Sequence, residues 1–106
     1  MIANFIKGEL VLVITTERDS YNAKKLAKSL ISKKLASCIS YEQIKSVYYW
    51  NNEIIEESEV QLNIKVSSDL VGELYDSLKE LHSYQLPQFI CLNTSVSEEY
   101  FQWCCR

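Results

Sequence analysis

His82 is the single histidine of the chain, so any imidazole ligand or proton-transfer group has to be this residue. It falls at the C-terminal end of a helical segment, where the macrodipole favours its cation. The four cysteines, Cys38, Cys91, Cys104 and Cys105, have no CxxC spacing, which points to reduced thiols rather than bridges or a zinc knuckle. A tight transition-metal site needs three or four fixed ligands. One chain offers only His82, Cys38 and carboxylates, so a strong site would need donors from neighbouring chains. The pattern predicts at most weak metal binding, with His82 as the best ligand and no metal required for folding. The other use of His82 is as a hydrogen-bonded residue at a helix end near a subunit boundary.

Cys38 stands beside small residues, Ala36 and Ser37, where a free thiol usually packs. Cys-His nucleophilic catalysis would need His82 within hydrogen-bond reach of Cys38 and a group to orient the ring. Nothing in the spacing indicates that arrangement, and no enzyme is expected. Glu59 and Lys65 share one face of a strand. They can pair at a subunit contact or line an anion-accepting cleft with Tyr84 and Trp50. Cys38, Trp50, Glu59, Lys65 and Tyr84 are therefore the candidate residues of a cleft between subunits.

The elements that position these residues follow from the hydrophobic period, which alternates between strand and helix values. Leu10–Ile14 is a continuous branched run, as in a central strand. Asp19 and Ser20 offer an N-cap to a helix whose apolar stripe is Ala23, Leu26, Ala27, Leu30 and Ile31. Ser37 to Trp50 reads as extended with a change of phase, which predicts a bulge near Glu42 and Gln43. Asn51-Asn52 is a credible two-residue turn. Val60, Leu62, Ile64 and Val66 then alternate with Glu59, Gln61, Asn63 and Lys65. A second helix carries Val71, Leu74, Tyr75, Leu78 and Leu81, a last strand runs from Phe89 to Leu92 after Pro87, and a short amphipathic tail spans Ser97 to Arg106.

This βαββαβ order with a C-terminal helix predicts an α+β, ferredoxin-like fold with an antiparallel sheet and both helices on one face. The second and third strands are longer than so small a sheet needs, so Tyr48-Tyr49-Trp50 should project and meet a partner chain. The polar face of the third strand is a second candidate for subunit contact.

With 106 residues, 47% of them hydrophobic and 24% charged, the composition is that of one globular domain, 1–106. The 2 glycines and 1 proline exclude collagen-like, linker-rich and Gly-loop phosphate-binding readings. A net charge of -3 argues against a nucleic-acid binder. RNA recognition on this fold needs aromatics where the chain has Gln61, Asn63 and Lys65. The opening Met1-Ile-Ala-Asn-Phe-Ile-Lys-Gly8 lacks the pattern of a secretory leader, and no run is long and apolar enough to span a membrane, so a soluble, cytoplasmic protein with no membrane partner is expected.

The segments Leu26-Ala-Lys-Ser-Leu-Ile-Ser-Lys-Lys-Leu-Ala-Ser-Cys38, Ser46-Val-Tyr-Tyr-Trp50, Glu59 with Ile64-Lys65, His82-Ser-Tyr-Gln-Leu-Pro87 and Tyr100-Phe-Gln-Trp103 resemble the CutA divalent-cation tolerance proteins in order and spacing, from about Glu9 to Trp103. The resemblance implies a homotrimer of ferredoxin-like subunits, PII-like in architecture, with clefts between subunits and an association with copper and other divalent ions. The alternative it leaves open is a trimeric scaffold or small-ligand sensor that uses those clefts. The chain departs from the family pattern at Glu42-Gln43, where Pro-Gly is usual, at Asn51-Asn52-Glu53 for Glu-Gly-Lys, and at Pro87-Gln88 for Pro-Glu. Thr15 stands where some bacterial relatives carry a copper-associated Cys, and Leu81-His82 where they carry paired His.

Overall fold

The computed structural model describes residues 4–105. Met1–Ala3, which enter the leader reading, and Arg106, the end of the expected tail, lie outside the described residues. The chain runs β1 (Phe5–Glu17), α1 (Ser20–Ser32), β2 (Cys38–Trp50), β3 (Glu53–Ser67), a single 3-10 turn (Ser68–Leu70), α2 (Val71–Leu81), β4 (Ile90–Ser97) and α3 (Glu98–Cys104). All neighbouring strands are antiparallel, in the order β2-β3-β1-β4. This is the expected α+β, ferredoxin-like arrangement.

Both long helices pack on one face. Val60, Leu62, Ile64 and Val66 of β3 and Val11 and Val13 of β1 are buried against Leu26 and Leu30 of α1 and Leu74 and Leu78 of α2. Burying each such side chain stabilises the fold by about 1.5–3 kcal/mol. α1 begins as its sequence signals: the Asp19 carboxylate accepts the Asn22 backbone N–H at 2.8 Å, which satisfies one of the free donors of the first turn. Its end is less expected. Lys34 takes a left-handed φ of 60°, and its N–H donates to the Ile31 carbonyl while that of Leu35 donates to the Leu30 carbonyl. That is a Schellman closure with lysine in the place usually held by glycine.

β1 and β4 are longer than the apolar runs predicted. β1 extends back to Phe5 across a register shift between Lys7 and Val11, where Gly8 supplies a φ of 77°; one of the two glycines thus makes a bulge. β4 starts at Ile90 and continues to Ser97, because its later polar residues pair with the same extension, Phe5 with Ser97 and Ile6 with Val96.

The bulge expected near Glu42 and Gln43 is absent. Pairing runs without interruption from Cys38 opposite Lys65 to Trp50 opposite Glu53, and Asn51 and Asn52, at φ 49° and 63°, form the two-residue turn. The change of phase records a change of surroundings. Ile39 and Tyr41 face the helices, whereas Ile44, Tyr48 and Trp50 stand on the opposite, open face. That open face is also less polar than β3 alone suggests. Beside Gln61, Asn63 and Lys65 it carries Leu12, Ile14, Ile90 and Leu92 from β1 and β4, and the last two remain 47% and 44% exposed.

Beyond the last β1–β3 pair, Glu17 with Val60, β2 and β3 continue alone as a ribbon. The chain accordingly measures 55 × 27 × 21 Å, and Tyr49, Trp50 and Ile54 near the tip are exposed. The projection inferred from strand length is therefore present.

Candidate functional site

Where the ribbon leaves the sheet, polar side chains from four segments converge. Glu17 ends β1 on the helix-facing side, at the position that follows Val11, Val13 and Thr15, and is 1% exposed. Its carboxylate accepts the Arg18 N–H at 2.9 Å, the Ser83 N–H at 3.1 Å and the Ser83 hydroxyl. Multiple donors of this kind are what a buried carboxylate requires. His82 is the C-cap of α2, and its Nδ1 lies 3.6 Å from Glu17 Oε2.

The hydrogen bonds fix the state of the imidazole. The Tyr84 backbone N–H donates to Nδ1 at 2.9 Å, so that nitrogen carries no proton, and Nε2–H donates to the Thr16 carbonyl at 2.6 Å. The ring is neutral and both nitrogens are engaged, which ties the end of α2 to the end of β1. A cation would have to displace one of these bonds to gain a lone pair. Among the described residues, no three His, Cys, Asp or Glu side chains of one chain are grouped to hold a metal ion. The described residues of one chain therefore do not assemble a metal site by themselves. Of the two uses open to His82, the geometry displays the helix-end hydrogen-bonding one.

The turn after His82 carries Tyr84 across to β3, where its hydroxyl donates to Glu59 Oε2 at 2.8 Å. Burial first, and the bond to Glu59 second, raise the Tyr84 phenol above its ordinary range, so it serves as a donor. Two residues along the same face, Glu57 accepts from the Tyr48 hydroxyl at 2.7 Å. The site thus ends in two phenol–carboxylate pairs at the root of the ribbon, open to a neighbour.

The other expected cleft residues lie elsewhere in the chain. Lys65 is six residues from Glu59 on the same face, about 20 Å along the strand, so the two do not pair within one chain. Lys65 instead donates to the Tyr100 hydroxyl of α3 at 3.0 Å, with the Tyr100 ring 5.1 Å from its ammonium; the hydrogen bond is the main reason its pKa is raised. Cys38 sits directly opposite Lys65 across β2 and β3, and Trp50 is at the ribbon tip, 63% exposed. Within one chain, then, Tyr84 is hydrogen-bonded to Glu59, Cys38 neighbours Lys65, and Trp50 stands apart from both pairs. Glu17, Thr16 and Ser83 were missed, although a carboxylate continuing the buried parity of an apolar strand was a signal available in the sequence.

A ferredoxin-like sheet with one uncovered apolar face, a projecting ribbon and a polar cluster at its own boundary defines a protein of the PII-like structural class. The chain belongs to the CutA family: the profile described as "CutA1 divalent ion tolerance protein" matches residues 11–106. It is 34% identical over 95 residues to the divalent-cation tolerance protein CutA of Pyrococcus horikoshii, covering 89% of this chain and 93% of that one. The structure of CutA from Synechococcus elongatus superposes with a TM-score of 0.92 at 30% identity, covering 95% of this chain and 92% of the other. That of the "periplasmic divalent cation tolerance protein CutA" of Archaeoglobus fulgidus gives 0.86 at 28% identity, covering 89% and 93%.

Proposed function

We propose that this chain, one CutA-like domain over 1–106, acts as a cytoplasmic homotrimer in divalent-cation tolerance and has no catalytic activity of its own. The observation that carries the assembly is the open sheet face. Leu12, Ile14, Ile90 and Leu92 form an apolar strip opposite the helices, and a second copy would bury it at a gain of roughly 25 cal/mol per Å². Assembly would bring the ribbon of one chain, with Tyr48, Trp50 and Glu57, against its neighbours. Clefts between chains are then where Cys38, Trp50, Glu59, Lys65 and Tyr84 from different subunits can act together.

Cation contact is assigned to those clefts, because three donors are not grouped within the described part of one chain. Copper binding through His82 requires the ring to leave Thr16 or Tyr84 and take further donors from neighbouring chains. Calorimetric copper titration of the wild type and His82→Ala tests it: equal affinity removes His82 as a ligand. The cleft-based sensor reading is favoured by the Tyr84–Glu59 pair, a ready hydrogen-bonding edge for a small polar ligand. A thermal-shift screen of copper, zinc, nucleotides and small metabolites separates the two, since a ligand held only by the folded assembly raises its apparent stability.

Light scattering should give about three times the 12.3 kDa chain mass, and a monomer at micromolar concentration would overturn the proposal. No helix among the described residues is long and apolar enough to cross a membrane. Residence in the cytoplasm is supported by the four free thiols, and cell fractionation checks it.

A further inference from the structure

The α1 segment concentrates positive charge in a chain that is acidic as a whole. From Ser20 to Ala36 it carries Lys24, Lys25, Lys28, Lys33 and Lys34 and no Asp or Glu, against a net charge of -3 for the full sequence. Lys24 and Lys28 stand one turn apart on the same side of α1, both exposed. Among the described residues no carboxylate forms an ion pair with either. Like charges at this spacing repel each other, and an anion held between the two would offset that repulsion.

What these two lysines border is apolar. They line an open groove of about 400 Å³ with Ala27 and Ile31 of α1 and Ile39 and Tyr41 of the edge strand β2. Ile31 and Tyr41 remain exposed there. The two ends of the groove differ. Gln43 of β2 donates to the Ser20 hydroxyl at 3.5 Å, which sets the start of α1 beside the later part of β2, so Ile31 and Ile39 lie at the opposite end. Lys24 and Ile31 are about 10 Å apart along the helix. The groove thus has a cationic end and an apolar end.

A groove of this size suits a small molecule, and charge complementarity selects its kind. A neutral apolar ligand gains nothing from the ammonium groups, and an inorganic anion leaves the apolar floor uncovered. An anion with an apolar body uses both. We propose that the groove between α1 and β2 binds a small amphiphilic anion of the aryl carboxylate or sulfonate class, its acidic group at Lys24 and Lys28 and its rings against Ala27, Ile31, Ile39 and Tyr41. The assembly proposed above is built on the opposite face of the sheet and does not require this groove. The site is also separate from the Glu59–Tyr84 pair, and it stands independently of the family's association with cations.

The experiment is a titration of the full-length protein with anilinonaphthalene sulfonate at physiological salt, followed by the rise in its fluorescence. One probe per chain should bind the wild type. Lys24→Glu with Lys28→Glu should weaken binding at least tenfold, and so should Ile31→Glu at the apolar end. Lys25→Glu with Lys33→Glu makes the same change of charge outside the groove and should bind as the wild type does, because salt screens charges that are not in contact with the probe. Phenylnaphthylamine, which has the rings without the acid, should bind at least tenfold more weakly than the sulfonate. All four lysines are exposed, and circular dichroism shows whether each variant is folded; if the Lys24 and Lys28 variant is not, Lys24→Gln with Lys28→Gln takes its place. No saturable binding to the wild type, wild-type affinity in either folded groove variant, an equal loss in the Lys25 and Lys33 variant, or equal affinity for the neutral probe would each overturn the proposal.

Discussion

Glu17 and His82 face each other at 3.6 Å, carboxylate oxygen to Nδ1, although they sit at opposite ends of the chain's βαββα segment. The contact is held by the backbone on both sides: Ser83 N–H fixes the carboxylate and Tyr84 N–H fixes the ring. Glu17→Ala removes the acceptor of three bonds and should destabilise the protein by about 2–3 kcal/mol, since unpaired buried donors are costly. Glu17→Gln should cost less. Urea unfolding of the two variants measures both.

Thr15 carries the one buried side-chain oxygen without a partner among the described residues. It faces the helices and is fully buried beside its partner Leu62. Thr15→Val replaces the hydroxyl with a methyl group of similar volume and should stabilise the fold by about 1 kcal/mol. A raised Tm is the expected result.

Lys34 adopts φ 60° to close α1, a conformation that costs a side-chain-bearing residue roughly 1–2 kcal/mol. Lys34→Gly removes that cost while keeping the closing hydrogen bonds. The gain is reduced by the greater freedom of glycine in the unfolded chain, leaving about 0.5–1 kcal/mol. Denaturant midpoints would show it.

Tyr84 ionises in the unfolded chain near its ordinary value of 10, and the folded state raises that value. The folded state therefore holds the proton more tightly. Its contribution is fully present below pH 10 and is lost as the pH rises above it. Stability should fall on the alkaline side, and Tyr84→Phe, which also loses the bond to Glu59, should flatten that fall. Thermal unfolding followed from neutral pH upward through the ordinary phenol value of about 10 tests the slope.

The paired substitution Leu12→Lys with Leu92→Lys places two charges side by side on the open face, where these residues are register partners. Neither belongs to the helix-facing core. The variant should fold but sediment as a smaller species than the wild type. Sedimentation velocity with circular dichroism on the same sample distinguishes loss of assembly from loss of fold.

Much of this architecture was legible in the sequence because its elements have strong, uninterrupted periods. Val60 to Val66 alternate without fault, the α1 stripe falls at helical spacing, and Asn51-Asn52 tolerates the positive φ that its turn requires. The extension of β1 was not legible. Lys7, Gly8 and Glu9 interrupt the alternation, and only pairing with β4 makes the segment a strand. The bulge predicted in β2 failed for a related reason, since a period reports which face is apolar and not what covers it. Ile44, Tyr48 and Trp50 are apolar toward the open face. Glu59 and Tyr84 were grouped by chemistry as residues of one cleft, but Glu17 lies beyond the apolar run Leu10–Ile14, and only α2 delivers His82 and Ser83 to it.

The uninterrupted pairing of β2 with β3 also bears on the order in which the chain acquires its shape. Its rungs close outward from a two-residue turn, so each brings together residues whose intervening chain has already been ordered. The β1–β4 rungs, such as Val13 with Cys91, must instead close a loop containing most of the chain, at a larger entropic cost. A chain emerging from synthesis can therefore complete its hairpin while β4 is still missing, and the β1 edge waits for the last residues. Folding speed should be governed by that final strand, and lengthening the connection between α2 and β4 should slow it more than an insertion at Asn51-Asn52.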